Sequence, residues 1–258
     1  MKKLVGIMIL MCLMSSLAIA DEIYAVADPY FPYTGEPNAE KPGYLVELIQ
    51  QIFEKDGHTV KYRTVPWLRA LKMIENGTAD CIAGAYANDA RNLGINVPVH
   101  ETGVWYMHFF AKKGSPMAKW TYDGTPLSLS RIRLGMILGY EYGPEFDPYI
   151  KSAAATQIET YNDLATNIKM LLADRVDIVI EEYGVFVNTA QSLRVWDQIM
   201  NVGKEHGDGN KHYVFFSKKI PQYSEYTKMF ARGMDELRRN GQLVRLLEKY
   251  GLKDWKEK

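Results

Sequence analysis

Two places in this sequence set charged side chains just past a buried strand. Arg91, in Asn88-Asp89-Ala90-Arg91, follows the apolar segment Cys81-Ile82-Ala83-Gly84-Ala85. Glu181 and Glu182 follow Val176-Asp177-Ile178-Val179-Ile180. Open α/β sheets bind ligands beyond the carboxyl ends of their strands. An arginine there offers a planar two-pronged donor for a carboxylate, a geometry that lysine lacks. A glutamate in the matching position can receive an ammonium. Arg91 and one glutamate, with Glu182 favoured over Glu181, would therefore suit the two charges of a free amino acid. The competing role for each is a solvated surface charge. Tyr30 lies between Pro29 and Pro32, and Trp67 follows Pro66. Both rings could stack on an apolar or cationic group, although Trp67 could equally pack a helix start. Asp28 in the same loop and Tyr86 at the end of its strand join the candidate set. Arg69 could reach a ligand from its helix or be structural.

Other chemistries find little support. His58, His100, His108, His206 and His212 show no metal-ligand spacing. No nucleophile elbow or phosphate loop is present. Cys81 falls in a predicted buried strand, where a thiol is inert. The expectation is a binding protein with no metal and no cofactor.

The chain has 258 residues, with 31 Lys and Arg against 31 Asp and Glu. Met1-Lys2-Lys3, an apolar run from Leu4 to Met14, and Ala18-Ile19-Ala20 before Asp21 have the three parts of a secretory signal peptide. The run is shorter than the roughly 20 residues of a membrane span. Cleavage is expected after Ala20, giving a periplasmic mature chain. Without residues 1–20 the net charge is −2. That leaves no global field to attract nucleic acid. It also leaves Cys81 as the sole cysteine, so packing rather than a disulfide must stabilise the exported domain.

The elements that hold these residues read as α/β. Ile23–Ala27 is a predicted strand and residues 28–33 a proline-broken loop. Apolar positions 44, 45, 48, 49, 52 and 53 mark a helix. A strand at 59–63, a helix from Pro66 to Asn76 and the strand 81–85 follow. Mainly parallel pairing is expected. The same order recurs with a strand at 133–137, a helix near 143–152, a helix at 161–173 and the strand 176–180. Helices broken at Asn240-Gly241 close the chain. Two similar segments, His108–Gly114 and Tyr213–Lys219, bracket the middle unit and read as crossings between lobes. The expected domains are a signal peptide at 1–20, lobe 1 at 21–110, lobe 2 at 111–213, and a return to lobe 1 at 214–258.

Several features coincide in order: the signal peptide, the aromatic-proline loop at 28–33, Pro42-Gly43-Tyr44-Leu45-Val46-Glu47-Leu48, Gly77-Thr78-Ala79-Asp80, and Arg175-Val176-Asp177. With them the mature chain resembles the family 3 extracellular solute-binding proteins, the polar amino acid receptors of bacterial ABC importers. Pro66-Trp67-Leu68-Arg69-Ala70-Leu71 looks like a less characterised branch of that family. The resemblance implies two Rossmann-like lobes joined by two crossing strands, the type II periplasmic binding protein fold. It implies a monomer that closes on an amino acid or small carboxylate and delivers it to an ABC permease in the inner membrane. Tyr30 and Trp67 fall on aromatic walls, Arg91 on the carboxylate-gripping arginine, and Asn88 on a ligand-bonding Thr or Ser. Glu182 falls on the acid that receives the ammonium, and Gly139-Tyr140 on a Gly-Thr pair facing the carboxylate. Leu45 replaces an acid usual in the family, and Tyr140 is far bulkier than Thr. The competing functions are an enzyme on the same fold, dehydratase-like, and a ligand-binding module that feeds a sensor.

Overall fold

The computed structural model describes residues 20–152 and 154–256. The signal peptide expected at 1–20 therefore lies, except for Ala20, outside the described residues.

The proline-broken loop and the first helix form one unit. Pro42-Gly43 ends the loop, and apolar spacing continues into α1 (Tyr44–Glu54), which buries Leu45, Leu48, Ile49, Ile52 and Phe53. The first helical N–H groups have no partner within a helix. Here they bond back to the loop: Tyr44 N–H to Pro32 O at 2.9 Å and Leu45 N–H to Tyr33 O at 2.9 Å. The helix start thereby fixes the backbone that carries Asp28, Tyr30 and Tyr33.

The remaining elements of the first half are β1 (Glu22–Ala27), β2 (Thr59–Thr64), α2 (Trp67–Asn76), β3 (Cys81–Tyr86), α3 (Ala87–Asn92) and β4 (Gly103–Trp105). The second unit holds β5 (Met107–Lys112), β6 (Leu134–Ile137), α4 (Asp147–Ile150), β7 (Ile158–Tyr161), α5 (Leu164–Leu172), β8 (Ile178–Glu182), α6 (Tyr183–Ser192) and β9 (Ile199–Lys204). Then β10 (Asn210–Phe216), α7 (Tyr223–Arg239) and α8 (Gln242–Lys249) complete the chain.

The strands make two five-stranded sheets, ordered β2-β1-β3-β10-β4 and β7-β6-β8-β5-β9. In each, the first three strands are parallel and the fourth runs antiparallel to its neighbours. The chain changes sheets at Tyr106 and returns across residues 205–209. The segments at 108–114 and 213–219 thus follow the crossings, and the boundaries expected at 110/111 and 213/214 fall inside β5 and β10. The paired strands are marked by aromatic content, whereas the crossing itself is a short join with no periodicity. Glu205 ties the two joins together. It accepts from Met107 N–H at 2.8 Å and from Asn210 Nδ2 at 3.0 Å, while its own N–H donates to Met107 O.

Two local expectations change. The helix near 143–152 is the single turn α4, with Pro148 in its first turn, where a missing N–H costs no helical bond. The helix at 161–173 begins at Leu164 and is preceded by the edge strand β7, whose half-exposed Ile-Glu-Thr-Tyr lacks a buried-strand pattern. Asp163 caps α5 by accepting from Thr166 N–H at 2.7 Å. Asp163→Ala should lower stability by about 1 kcal/mol, measurable by urea denaturation. Asp163 is exposed and absent from the cleft lining described below, so ligand binding should not change.

Candidate functional site

Between the two sheets lies a cleft with aromatic walls. Tyr30 and Tyr33 enter from the loop fixed by α1, Trp67 from the first turn of α2, and Tyr86 from the end of β3. Trp105 stands at the crossing, and Tyr140 and Tyr142 come from the loop after β6. The Tyr30 and Trp105 rings are 4.9 Å apart, Tyr86 and Trp105 5.4 Å, and Trp67 and Tyr140 6.1 Å. His212 stacks behind Trp105 at 4.1 Å. Burial pushes its pKa down to about 3, so that ring is neutral and brings no positive charge.

Carboxyl groups complete the lining: Asp28, Asp89, Glu141 and Glu181. Among the described residues, three side-chain bonds cross the cleft between the lobes. Tyr30 OH donates to Glu181 Oε1 at 2.6 Å. Tyr140 OH donates to Asp28 Oδ2, and Asn88 Nδ2 donates to Glu141 Oε2 at 3.0 Å. Desolvation disfavours the charged form of a buried acid. It raises the Glu181 pKa to about 8, Asp89 to about 7 and Asp28 to about 6, partly opposed by the hydrogen bonds each accepts. The cleft leaves about 30 Å³ for the centres of water molecules, where one water needs roughly 10–15 Å³. That is room for about two or three waters in this arrangement of the side chains.

Gly139 sits at the rim with φ +81°, and a Cβ there would stand 2.3 Å from Leu68 Cδ2 of the other lobe. The two rims approach closely at this glycine.

Of the residues singled out in the sequence, Asp28, Tyr30, Trp67, Tyr86 and Tyr140 line the cleft together. Arg69, Asn88, Arg91, Gly139 and Glu182 do not. Arg91 is exposed, and its guanidinium donates to Asn88 Oδ1 at 2.7 Å. The short helix α3 turns Asp89 and Ala90 inward, and Asn88 and Arg91, three residues apart, share the other face. Asp89 Oδ2 accepts from Tyr86 N–H at 2.9 Å, so the protein's own carboxylate occupies that helix start. Arg69 is also exposed, on the outer side of α2. The two glutamates reverse the expected order. Glu182 is the N-cap of α6 and accepts from Val185 N–H at 2.8 Å, while Glu181, 2% exposed, faces the cleft. An acid one residue before a helix start is a capping signal that would have separated the pair.

Sequence reasoning missed Tyr33, Asp89, Trp105, Glu141 and Tyr142. Asp89 carried a readable signal, an acid in the first turn of a helix. Trp105 carried none, because its place at the crossing follows from sheet assembly.

Comparison with known proteins accords with this architecture. A family model described as bacterial extracellular solute-binding proteins, family 3, matches residues 23–253. A "Probable histidine-binding protein" of Campylobacter jejuni subsp. jejuni serotype O:2 is 21% identical over 229 residues, covering 88% of this chain and 83% of that protein. Among solved structures, a histidine kinase sensor domain similar to periplasmic binding proteins gives a TM-score of 0.72 at 20% identity, covering 90% of this chain and 97% of that one. An amino acid ABC transporter substrate-binding protein from Streptococcus pneumoniae, bound to L-arginine, gives 0.70 at 16% identity, covering 90% and 94%. At these identities the structural likeness shows the fold, which is the type II periplasmic binding protein fold.

Proposed function

This chain belongs to the bacterial extracellular solute-binding proteins of family 3, and from that premise we propose that it captures a small polar solute in the inter-lobe cleft. The solute class is one bearing a cationic nitrogen, amino acids and their amine relatives included. The single observation that carries the reading is the cleft itself, walled by aromatic rings and carboxyls from both lobes and bridged by Tyr30–Glu181 and Tyr140–Asp28. A solute that contacts both lobes favours the closed arrangement by its differential affinity for it. The short joins at Tyr106 and 205–209 are the places where the lobes turn. Export through the segment 1–20, a monomeric periplasmic receptor, and hand-over to an ABC permease in the inner membrane complete the proposal. The arginine-bound S. pneumoniae transporter protein supports it through the shared fold.

The test uses mature protein refolded from denaturant to remove any carried solute. It is titrated calorimetrically against a broad panel of neutral, acidic and basic amino acids, amines and small carboxylates. One saturable 1:1 binder is expected, and its addition should reduce the radius of gyration in solution scattering. A panel without any saturable binder sinks the reading, and an unchanged radius on saturation removes the hinge. Delivery is tested separately: loss of the gene should abolish uptake of the labelled solute. Unimpaired uptake would turn attention to the sensor reading, to which the histidine kinase sensor domain lends its fold.

A further inference from the structure

Carboxylates need donors, and the cleft offers few that are free. Among the described residues its lining contains no lysine, arginine or histidine. Arg91 is engaged with Asn88 outside it. The backbone N–H groups of Tyr86 and Tyr142 are also occupied, donating to Asp89 and to Asp147 Oδ1 at 2.8 Å, while the neutral Trp105 indole N–H is left without a partner among the described residues.

Acceptors, by contrast, remain open. Glu181 uses Oε1 for both Tyr30 OH and the Glu182 N–H, and no hydrogen bond among the described residues reaches its Oε2. Asp89, 4% exposed, likewise has Oδ1 without a donor among the described residues. Both side chains are buried and line the cavity. Around them stand Tyr30, Tyr86, Trp105 and Tyr140, whose ring faces attract cations. Both oxygens are open to the cavity, and a ligand with N–H donors and positive charge satisfies the two at once. Once these acids are ionised, a ligand carboxylate would lie among like charges, and no cation among the described lining residues would receive it.

Resting on the capture reading above, we infer that the cleft selects a small hydrogen-bond-donating cation without a carboxylate, an amine or guanidine rather than an amino acid zwitterion. The cation bridges Glu181 and Asp89 and lies against Trp105 and Tyr30. The departures at Leu45 and Tyr140 fit this assignment. Leu45 contributes apolar wall, and the Tyr140 hydroxyl is turned to Asp28 rather than offered to an anion.

The test compares matched pairs that differ by the α-carboxylate: arginine with agmatine, lysine with cadaverine, histidine with histamine. Emptied mature protein is titrated with all six near pH 8. At least one amine should bind 1:1 about ten-fold or more tighter than its parent, the discrimination that an unpaired buried charge imposes. A parent amino acid that binds as tightly as its amine, or tighter, overturns the inference and leaves the capture reading standing. Absence of binding by all six also overturns it, and the capture reading then depends on its own wider panel.

Discussion

Glu181→Gln should weaken binding of the best amine of the matched pairs by roughly thirty-fold or more near pH 8.5, since removing one partner of a desolvated charge pair costs about 2–5 kcal/mol. Glutamine keeps the acceptor for Tyr30 OH and for the Glu182 N–H and removes only the charge. It mimics the protonated acid, the form that burial favours in the empty cleft. Loss of binding should therefore come without loss of fold.

The pH dependence has a definite sign. Glu181 holds its proton in the folded empty protein up to about pH 8, well above its ordinary 4.5. The extra stability this gives is present in full below about 4.5 and is lost as pH rises through about 8. Asp28 and Asp89 have the same sign, with midpoints near 6 and 7. The groups facing Glu181 are the hydroxyls of Tyr30, Tyr86, Tyr140 and Tyr142 and the carboxyls of Asp28 and Glu182. None is cationic. The empty protein should therefore melt at lower temperature as pH increases from 5 to 8.5, and a cationic solute should reverse the trend. Amine affinity should rise across the same interval, with proton release visible as a buffer-dependent binding enthalpy. Glu181→Gln should flatten the upper part of that rise. A variant that binds the amine as tightly as the parent at pH 8.5 would remove Glu181 from the site.

Gly43→Ala should lower stability by roughly 2–4 kcal/mol, combining left-handed backbone strain with a close backbone clash. Gly43 has φ +123°, and an added Cβ would lie 2.5 Å from the Tyr33 carbonyl oxygen. It would also lie 2.7 Å from Thr34 Cα, and as both contacts are backbone atoms, relief requires the loop to move away from the start of α1. That loop is held by the bonds from Tyr44 and Leu45 N–H to Pro32 and Tyr33, and it carries Asp28, Tyr30 and Tyr33 into the cleft. Denaturation and calorimetry should consequently show loss of stability together with weaker ligand binding. Asp163→Ala, outside the cleft lining, serves as the contrast in which stability falls alone. A Gly43→Ala protein with unaltered melting and affinity would show that the loop yields freely.

The legible part of this protein was the part written in local pattern. Helical spacing at 44–53, the alternating and apolar strands, and the breaks at Gly77 and Gly241 each reflect a short-range rule, and the structure places elements there within a residue or two. Loop residues near strand ends were legible for the same reason. Asp28, Tyr30 and Tyr86 follow strands whose carboxyl ends point at the cleft.

What only the tertiary structure decided was direction. Arg91 and Asp89 are two residues apart on a helix of a turn and a half, and which of them turns inward depends on the phase of that helix against β3. Asp89 went inward because it caps the helix at Tyr86 N–H, and Arg91 was left with Asn88 at the surface. Glu181 and Glu182 divided similarly, one facing Tyr30 across the cleft and the other capping α6. The first of these choices replaces a cleft balanced for a zwitterion with one that is acidic and aromatic; the second changes which glutamate faces it, not its charge. Trp105 and the crossing at Tyr106 were decided by the assembly of two sheets from distant strands, which no local periodicity records. The sequence by itself therefore determined the two-lobed α/β frame and the neighbourhood of its site. The charge that the site presents was set by side-chain orientation at Asp89 and Arg91, which lie on one short helix and differ in which of them its phase against β3 buries.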